Sequence, residues 1–292
     1  MSAEVNENRF NIDGSLVVIT GGNSGIGKET ARKLSWKGAS VLIACRNLDK
    51  ANEAKIDIEN ETGNPVKVMK LDLSSLASVR DFSDMLIERY GVPDVLINNA
   101  AAYCRKHKKS PDGIEMTMAV NYFGVFSLTS LLLPFMLELP GESRIVNVSS
   151  DAYSVGPFYP DLGRAMKLSG FRAYAMSKRA LMYYTFELAD KLKISNVTVN
   201  CVNPGHSATG IWPSDTWYWK IAKSIISMSA DPASYAAENV VYTAASPELS
   251  QVTGKYISDM KISKTNDKVL KDIEKEQLWD FSISFLEELG AI

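Results

Sequence analysis

The chain has 292 residues, 46% of them hydrophobic and 23% charged, an ordinary globular composition long enough for a large α/β core. A formal net charge of −2 leaves no basic footprint for nucleic acid. Two histidines, with Cys45, Cys104 and Cys201 at no metal spacing, argue against a zinc centre. The cysteines read as free thiols of a reducing compartment, and a cytoplasmic location is expected. Residues 1–11 form a polar tail that is neither signal peptide nor membrane anchor, and no later apolar run is expected to span a bilayer.

Leu16-Val17-Val18-Ile19 reads as a buried strand. It breaks at Gly21, and a helical pattern follows from Ile26 to Leu34. A Gly-rich turn between strand and helix is the context of phosphate binding. Gly21 permits the tight turn, and Gly25 and Gly27 lack a Cβ that would keep a pyrophosphate from the backbone. The helix beyond presents unpaired N–H groups and its positive dipole end. Three residues separate Gly21 from Gly25 and one separates Gly25 from Gly27, which departs from G-x-G-x-x-G.

Ser40-Val41-Leu42-Ile43-Ala44 is a second strand, ending at Cys45-Arg46-Asn47. The helix over 48–62 stops at Gly63-Asn64-Pro65. Val66-Lys67-Val68-Met69-Lys70-Leu71 is a third strand, ending at Asp72-Leu73. Ser74 or Ser75 caps the next helix, which runs to Tyr90. Val95-Leu96-Ile97 leads into Asn98-Asn99-Ala100-Ala101. A long apolar helix then spans 113–137, packed either inside the core or at a dimer interface. Arg144-Ile145-Val146-Asn147-Val148 ends in Ser149-Ser150. A polar excursion over 151–170 leads to a helix carrying Tyr174 and Lys178. Val197-Thr198-Val199-Asn200-Cys201-Val202 ends at Asn203-Pro204-Gly205. Two helical segments, a short strand Lys255-Tyr256-Ile257 and a charged helix close the chain. This alternation predicts a Rossmann-type, doubly wound parallel α/β sheet with helices on both faces, one domain over 12–292. Its polar clusters fall just past strand ends, where such sheets bind ligands.

Thr20-Gly21-x-x-x-Gly25-x-Gly27, Asn98-Asn99-Ala100, Ser149-Ser150 and Tyr174-x-x-x-Lys178, in that order, resemble the short-chain dehydrogenase/reductases over about residues 14–256. Within them the chain is most similar to the retinol dehydrogenase and WW-domain oxidoreductase branch. Ala44-Cys45-Arg46, Ser246-Pro247-Glu248-Leu249 and Thr253-Gly254-Lys255-Tyr256 carry that likeness. No WW domain, and no anchor like that of membrane-bound retinol dehydrogenases, is expected.

Hydride transfer between a nicotinamide and a carbonyl or alcohol needs a proton donor and acceptor at the oxygen, and Tyr174 is the candidate. A phenol with a pKa of about 10 is a poor base near neutrality. Lys178 lies one turn on, on the same face, where its ammonium would favour the phenolate. The resemblance implies that Lys178 also bonds the nicotinamide ribose. It further implies that Ser150, the second serine of its pair, holds the substrate oxygen, and that Asn121 orders a water in the proton relay.

For the cofactor, the second strand ends in Cys45 and then Arg46, where NAD-preferring members carry an acid. A guanidinium suits a 2′-phosphate, so NADP(H) is expected. Ser24 stands where some NADP-binding members place a second basic residue. The remaining implied cofactor contacts are Asn23, Ile26 and Asn47, Asp72-Leu73 at the adenine, and Asn99-Ala100-Ala101 along the middle, with Ala101 in place of the usual Gly. Pro204-Gly205 and Thr209 would close over the nicotinamide.

The segment 205–230 is read as a lid, with Trp212, Trp217 and Trp219 against a bulky apolar substrate. Core packing, or shallow membrane contact by 211–228, is the alternative. The expected activity is NADP(H)-dependent oxidation or reduction of a small lipophilic molecule, retinoid-, terpenoid- or fatty-aldehyde-like. No metal and no nucleic acid take part, and a homodimer is left open. The competing readings are a non-catalytic dinucleotide-binding scaffold or redox sensor, and a nucleotide-sugar epimerase or dehydratase, whose T-G-x-x-G-x-x-G spacing is absent.

Overall fold

The computed structural model describes residues 10–163, 165–205, 233–266 and 268–292. Thr209, Trp212, Trp217, Trp219, the lid beyond Gly205 and the membrane contact at 211–228 lie outside the described residues, as does the tail before Phe10.

Seven strands run parallel in the order β3-β2-β1-β4-β5-β6-β7. They are β1 (Leu16–Thr20), β2 (Ser40–Cys45), β3 (Lys67–Lys70), β4 (Val95–Asn98), β5 (Ser143–Val148), β6 (Val197–Val202) and β7 (Tyr256–Ser258). An eighth, β8 (Lys261–Ser263), adds an antiparallel edge that was not expected. The strand is short and polar, so its own residues carry no β pattern. What makes it is the turn before it: Asp259 and Met260 both take positive φ, and Met260 N–H bonds Asn239 Oδ1 at 2.7 Å.

The described helices are α1 (Gly25–Trp36), α2 (Leu48–Thr62), α3 (Leu76–Tyr90), α4 (Met116–Leu137), α5 (Gly170–Lys191), α6 (Ala233–Ala245) and α7 (Asp272–Glu288). Alternate strand residues serve opposite layers, as the pleat requires. Leu16 and Val18 join the core under α3, α4, α5 and α7, while Val17 and Ile19 join that under α1, α2 and α6. Both faces are covered, so β1, β2 and β4 read as unbroken apolar runs. The strand order reverses between β1 and β4, which opens a crevice at the C-terminal ends of the strands.

Against expectation, α4 is long and apolar enough, by length and composition, to cross a membrane. It is a core helix here: 67% of its most apolar stretch is buried inside the fold. Helix α7 covers part of it. Tyr122 OH and Ser282 Oγ lie 2.8 Å apart, Ser127 Oγ donates to Ala291 O, and Trp279 packs on Phe126 and stacks on Tyr184 of α5. Residues Ala119–Phe123 form a π turn within α4. Just after it, a Cβ on Gly124 would lie 2.2 Å from Leu73 O, so this helix and the loop after β3 touch backbone to backbone.

Candidate active site

The turn after β1 is fastened to the end of β4. Thr20 Oγ1 accepts the amides of Asn99 and Ala100, each at 3.0 Å, and Asn99 Nδ2 donates to Thr20 O at 2.9 Å. Gly21 has φ +68 and Gly25 φ +54, the left-handed turn that L side chains resist. Gly27 has a packing role beside its place on the cleft. A Cβ there would fall 2.5 Å from both Asn99 Nδ2 and Gly21 O, so this glycine also seats α1 on the turn. The N-terminus of α1 has no side-chain cap and no acid in its first turn, whereas Asn47 caps α2 and Ser75 caps α3. Its unpaired amides open on the crevice, which suits an anion.

That crevice is a cleft of about 940 Å³. Every residue expected at the cofactor lines it, except Thr209, which lies outside the described residues. Arg46 is exposed at the end of β2. Lys50, which the sequence reading missed, lines the same end. Asp72 holds its own turn, accepting Ser74 N at 2.9 Å and Ser74 Oγ at 2.7 Å. Ala101 needs no glycine, since it is absent from the positive-φ residues.

Tyr174 and Lys178 project from α5 into the other end of the cleft, beside Ser150. The Ser150 side chain hydrogen-bonds the Tyr174 phenol. It also accepts Ala152 N at 3.3 Å, while the neighbouring Ser149 hydroxyl is buried without a partner among the described residues. Ser150 is therefore the serine placed beside Tyr174. Burial pushes the Tyr174 phenol above its ordinary value, and the Ser150 bond opposes this. Burial pulls Lys178 down to about 8. The expected lowering of the phenol by Lys178 is not found: the ammonium sits 5.7 Å from the ring centroid and makes its hydrogen bond to Val148 O at 2.8 Å. That carbonyl is its one acceptor among the described residues, which leaves buried N–H groups for a ligand's hydroxyls.

Asn121 is buried behind the cleft rather than lining it. Its Oδ1 accepts Ala102 N at 2.7 Å, and its Nδ2 donates to Ala102 O and to Ser177 Oγ, both at 3.0 Å. Ser177 Oγ in turn donates to Tyr174 O. Asn121 thus ties the loop after β4 to the helix turn that carries Tyr174. A second tie runs deeper, from Asn98 through Asn147 to Thr185 of α5. A third is Arg179, absent from the sequence reading. Buried beside Lys178, it donates to Tyr153 O at 2.6 Å and Gly156 O at 2.8 Å, clamping the segment after Ser150 to α5. Val155 and Phe171 also line the cleft. Phe171 was legible, because it precedes Tyr174 by three residues and shares its helix face. Val155 sits in an irregular loop that carries no such signal. Cys45 and Cys201 are buried and Cys104 is half-buried, all three as free thiols.

The short chain dehydrogenase family profile matches residues 15–216. Retinol dehydrogenase 13 of Mus musculus is 36% identical over 284 residues, covering 92% of this chain and 82% of its own. Among solved structures, an uncharacterized protein from Mycobacterium paratuberculosis superimposes with a TM-score of 0.75 at 27% identity, covering 96% of each chain. A short chain dehydrogenase from Burkholderia cenocepacia in complex with NADP superimposes with a TM-score of 0.68 at 26% identity, covering 85% of this chain and 96% of its own.

Proposed function

The chain belongs to the short chain dehydrogenases, and we propose that it is an NADP(H)-dependent oxidoreductase of lipophilic carbonyls and alcohols. The observation that carries this reading is one cleft holding an uncapped helix N-terminus and an exposed arginine at one end and Ser150, Tyr174 and Lys178 at the other. When bound, the nicotinamide supplies or takes up the hydride. Arg46, with Lys50 nearby, would pair with a 2′-phosphate, and no carboxylate stands at the end of β2 to prefer a bare ribose. The complex of NADP with the Burkholderia protein supports the same choice. Lys178 would hold ribose hydroxyls with the N–H groups that Val148 leaves over. The apolar side chains of Val155 and Phe171 at the mouth, and the retinol dehydrogenase likeness, support a lipophilic substrate. The free thiols support a reducing, cytoplasmic setting.

Ser150 would donate to the substrate oxygen and steady its developing charge. Tyr174, whose phenol is pushed up by burial, would give that oxygen its proton in reduction and take it back in oxidation. NADPH oxidation measured across retinoid, terpenoid and fatty aldehydes tests the reading. Tyr174→Phe should lower turnover about 10²–10⁴-fold while NADPH affinity stays constant. A variant that keeps more than about a tenth of wild-type kcat removes Tyr174 from the acid's role.

A further inference from the structure

A basic surface stands beside the mouth of the cleft, and no step above uses it. The loop after β4 carries Arg105, Lys106, Lys108 and Lys109, all exposed. A second segment brings Lys167 and Arg172, also exposed, to the same place. The two segments are bonded together: Gly170 N donates to Cys104 O at 2.9 Å, and the His107 ring Nε2 donates to Met166 O at 2.8 Å. The loop is held at its far end as well, where Met116 N donates to Lys108 O and the backbones of Lys109 and Glu115 form an isolated antiparallel β-bridge. The backbone that carries the charges is therefore held in place. None of these six side chains forms an ion pair among the described residues. Carboxylates in the same stretches are engaged elsewhere: Glu115 is buried and caps α4, Asp112 accepts Leu76 N, and Asp161 accepts Gly163 N. Six exposed positive charges without an ion pair among the described residues, in a chain of net charge −2, are a strong local asymmetry.

The apolar neighbours of this surface narrow its partner. Phe171, next to Arg172, is 41% exposed, and Val155 is 46% exposed. Both line the cleft that holds Tyr174. A soluble polyanion would use the charges and leave these side chains in water. An anionic bilayer would use both, with the lysines and arginines among headgroups and the aromatic ring at the acyl boundary.

We propose that this face docks on an anionic lipid surface, so that the mouth of the cleft opens toward the bilayer and a lipophilic substrate enters without crossing water. The inference rests on the lipophilic-substrate reading for its purpose, and on the described surface for its binding. Near a negatively charged leaflet each such basic residue strengthens binding roughly fivefold, and salt screens the attraction.

The test is flotation of the full chain with phosphatidylcholine vesicles, with and without about 30% phosphatidylserine. The protein should float with the anionic vesicles only, and salt of about 1 M should release it. The triple variant Lys106→Glu, Lys108→Glu, Lys109→Glu should lose at least about tenfold in vesicle affinity, while NADPH-dependent turnover of a small water-soluble carbonyl stays at the wild-type level. Equal flotation with neutral and anionic vesicles overturns the proposal, as does wild-type binding by the triple variant. Retention on heparin without vesicle binding also overturns it, and assigns the surface to a soluble anionic partner. Flotation is read without turnover, so its failure and a failure of the oxidoreductase reading are separate results.

Discussion

At the scale of single residues the cleft carries a cost. Lys178 is fully buried, and its folded pKa of about 8 lies below the ordinary 10.5. Below about 8 the ammonium is charged in both folded and unfolded states, and its desolvation opposes folding. Between about 8 and 10.5 the unfolded chain binds the extra proton, so this opposition is relieved as pH rises through that window. Lys178→Met should therefore raise the Tm of the cofactor-free protein at neutral pH by about 2 °C or more, with turnover lost. Its advantage over wild type should shrink as pH climbs through the window. Scanning calorimetry at several pH values decides it, and a lower Tm for the variant at every pH would show that the Val148 bond outweighs desolvation. At the other end of the cleft, Arg46→Ala should weaken NADPH roughly tenfold, the worth of a charge-assisted hydrogen bond, and leave NADH nearly unchanged. Equal losses in a fluorescence titration would place the 2′-phosphate elsewhere.

At the scale of elements, the helices carry the site by touching one another's backbone. Gly124 shows this most sharply, since a Cβ there would lie 2.2 Å from Leu73 O in the loop that lines the cleft. Gly124→Ala must push α4 and that loop apart, at a cost of about 1–3 kcal/mol, and should weaken NADPH binding as well as stability. An unchanged urea midpoint would mean that the loop yields freely. Little of this was legible. A glycine in an apolar helix reads as a local weakness, and the partner that makes it necessary lies about fifty residues earlier in the chain. The π turn over Ala119–Phe123 is equally silent in the sequence, yet it lies on the helix stretch whose Asn121 bonds Ala102 and Ser177. Asn121 entered the sequence reading only through the family resemblance, as a residue that orders a water. Its role as a clamp between the loop after β4 and α5 was not legible there.

At the scale of the whole molecule, α7 is bound to the catalytic helix from behind. Trp279 stacks on Tyr184 with its plane tilted by 11°, and Tyr183 OH donates to Glu274 Oε2 at 2.5 Å and accepts Lys271 N. Trp279→Ala should cost about 3 kcal/mol in urea unfolding while kcat changes little, because this contact lies behind α5 and away from the cleft. A large fall in kcat with stability intact would instead tie α7 to the positions of Tyr174 and Lys178. What the sequence determined by itself was local or ordered along the chain. Buried strands, breaking glycines and the succession of polar strand ends follow from side-chain chemistry and spacing, and they were enough for the sheet and the glycine turn, while Ser150, Tyr174 and Lys178 were singled out by the order of motifs that the family resemblance supplies. Tertiary structure alone decided the rest. It packed Gly27 against Gly21 and Asn99, and brought Arg179 onto the loop after Ser150. It also set the buried Lys178 ammonium on Val148 O, where desolvation brings its pKa down to about 8. Each of these is a distance between residues remote in sequence or a desolvation by the surrounding fold, and neither exists until the chain has closed on itself.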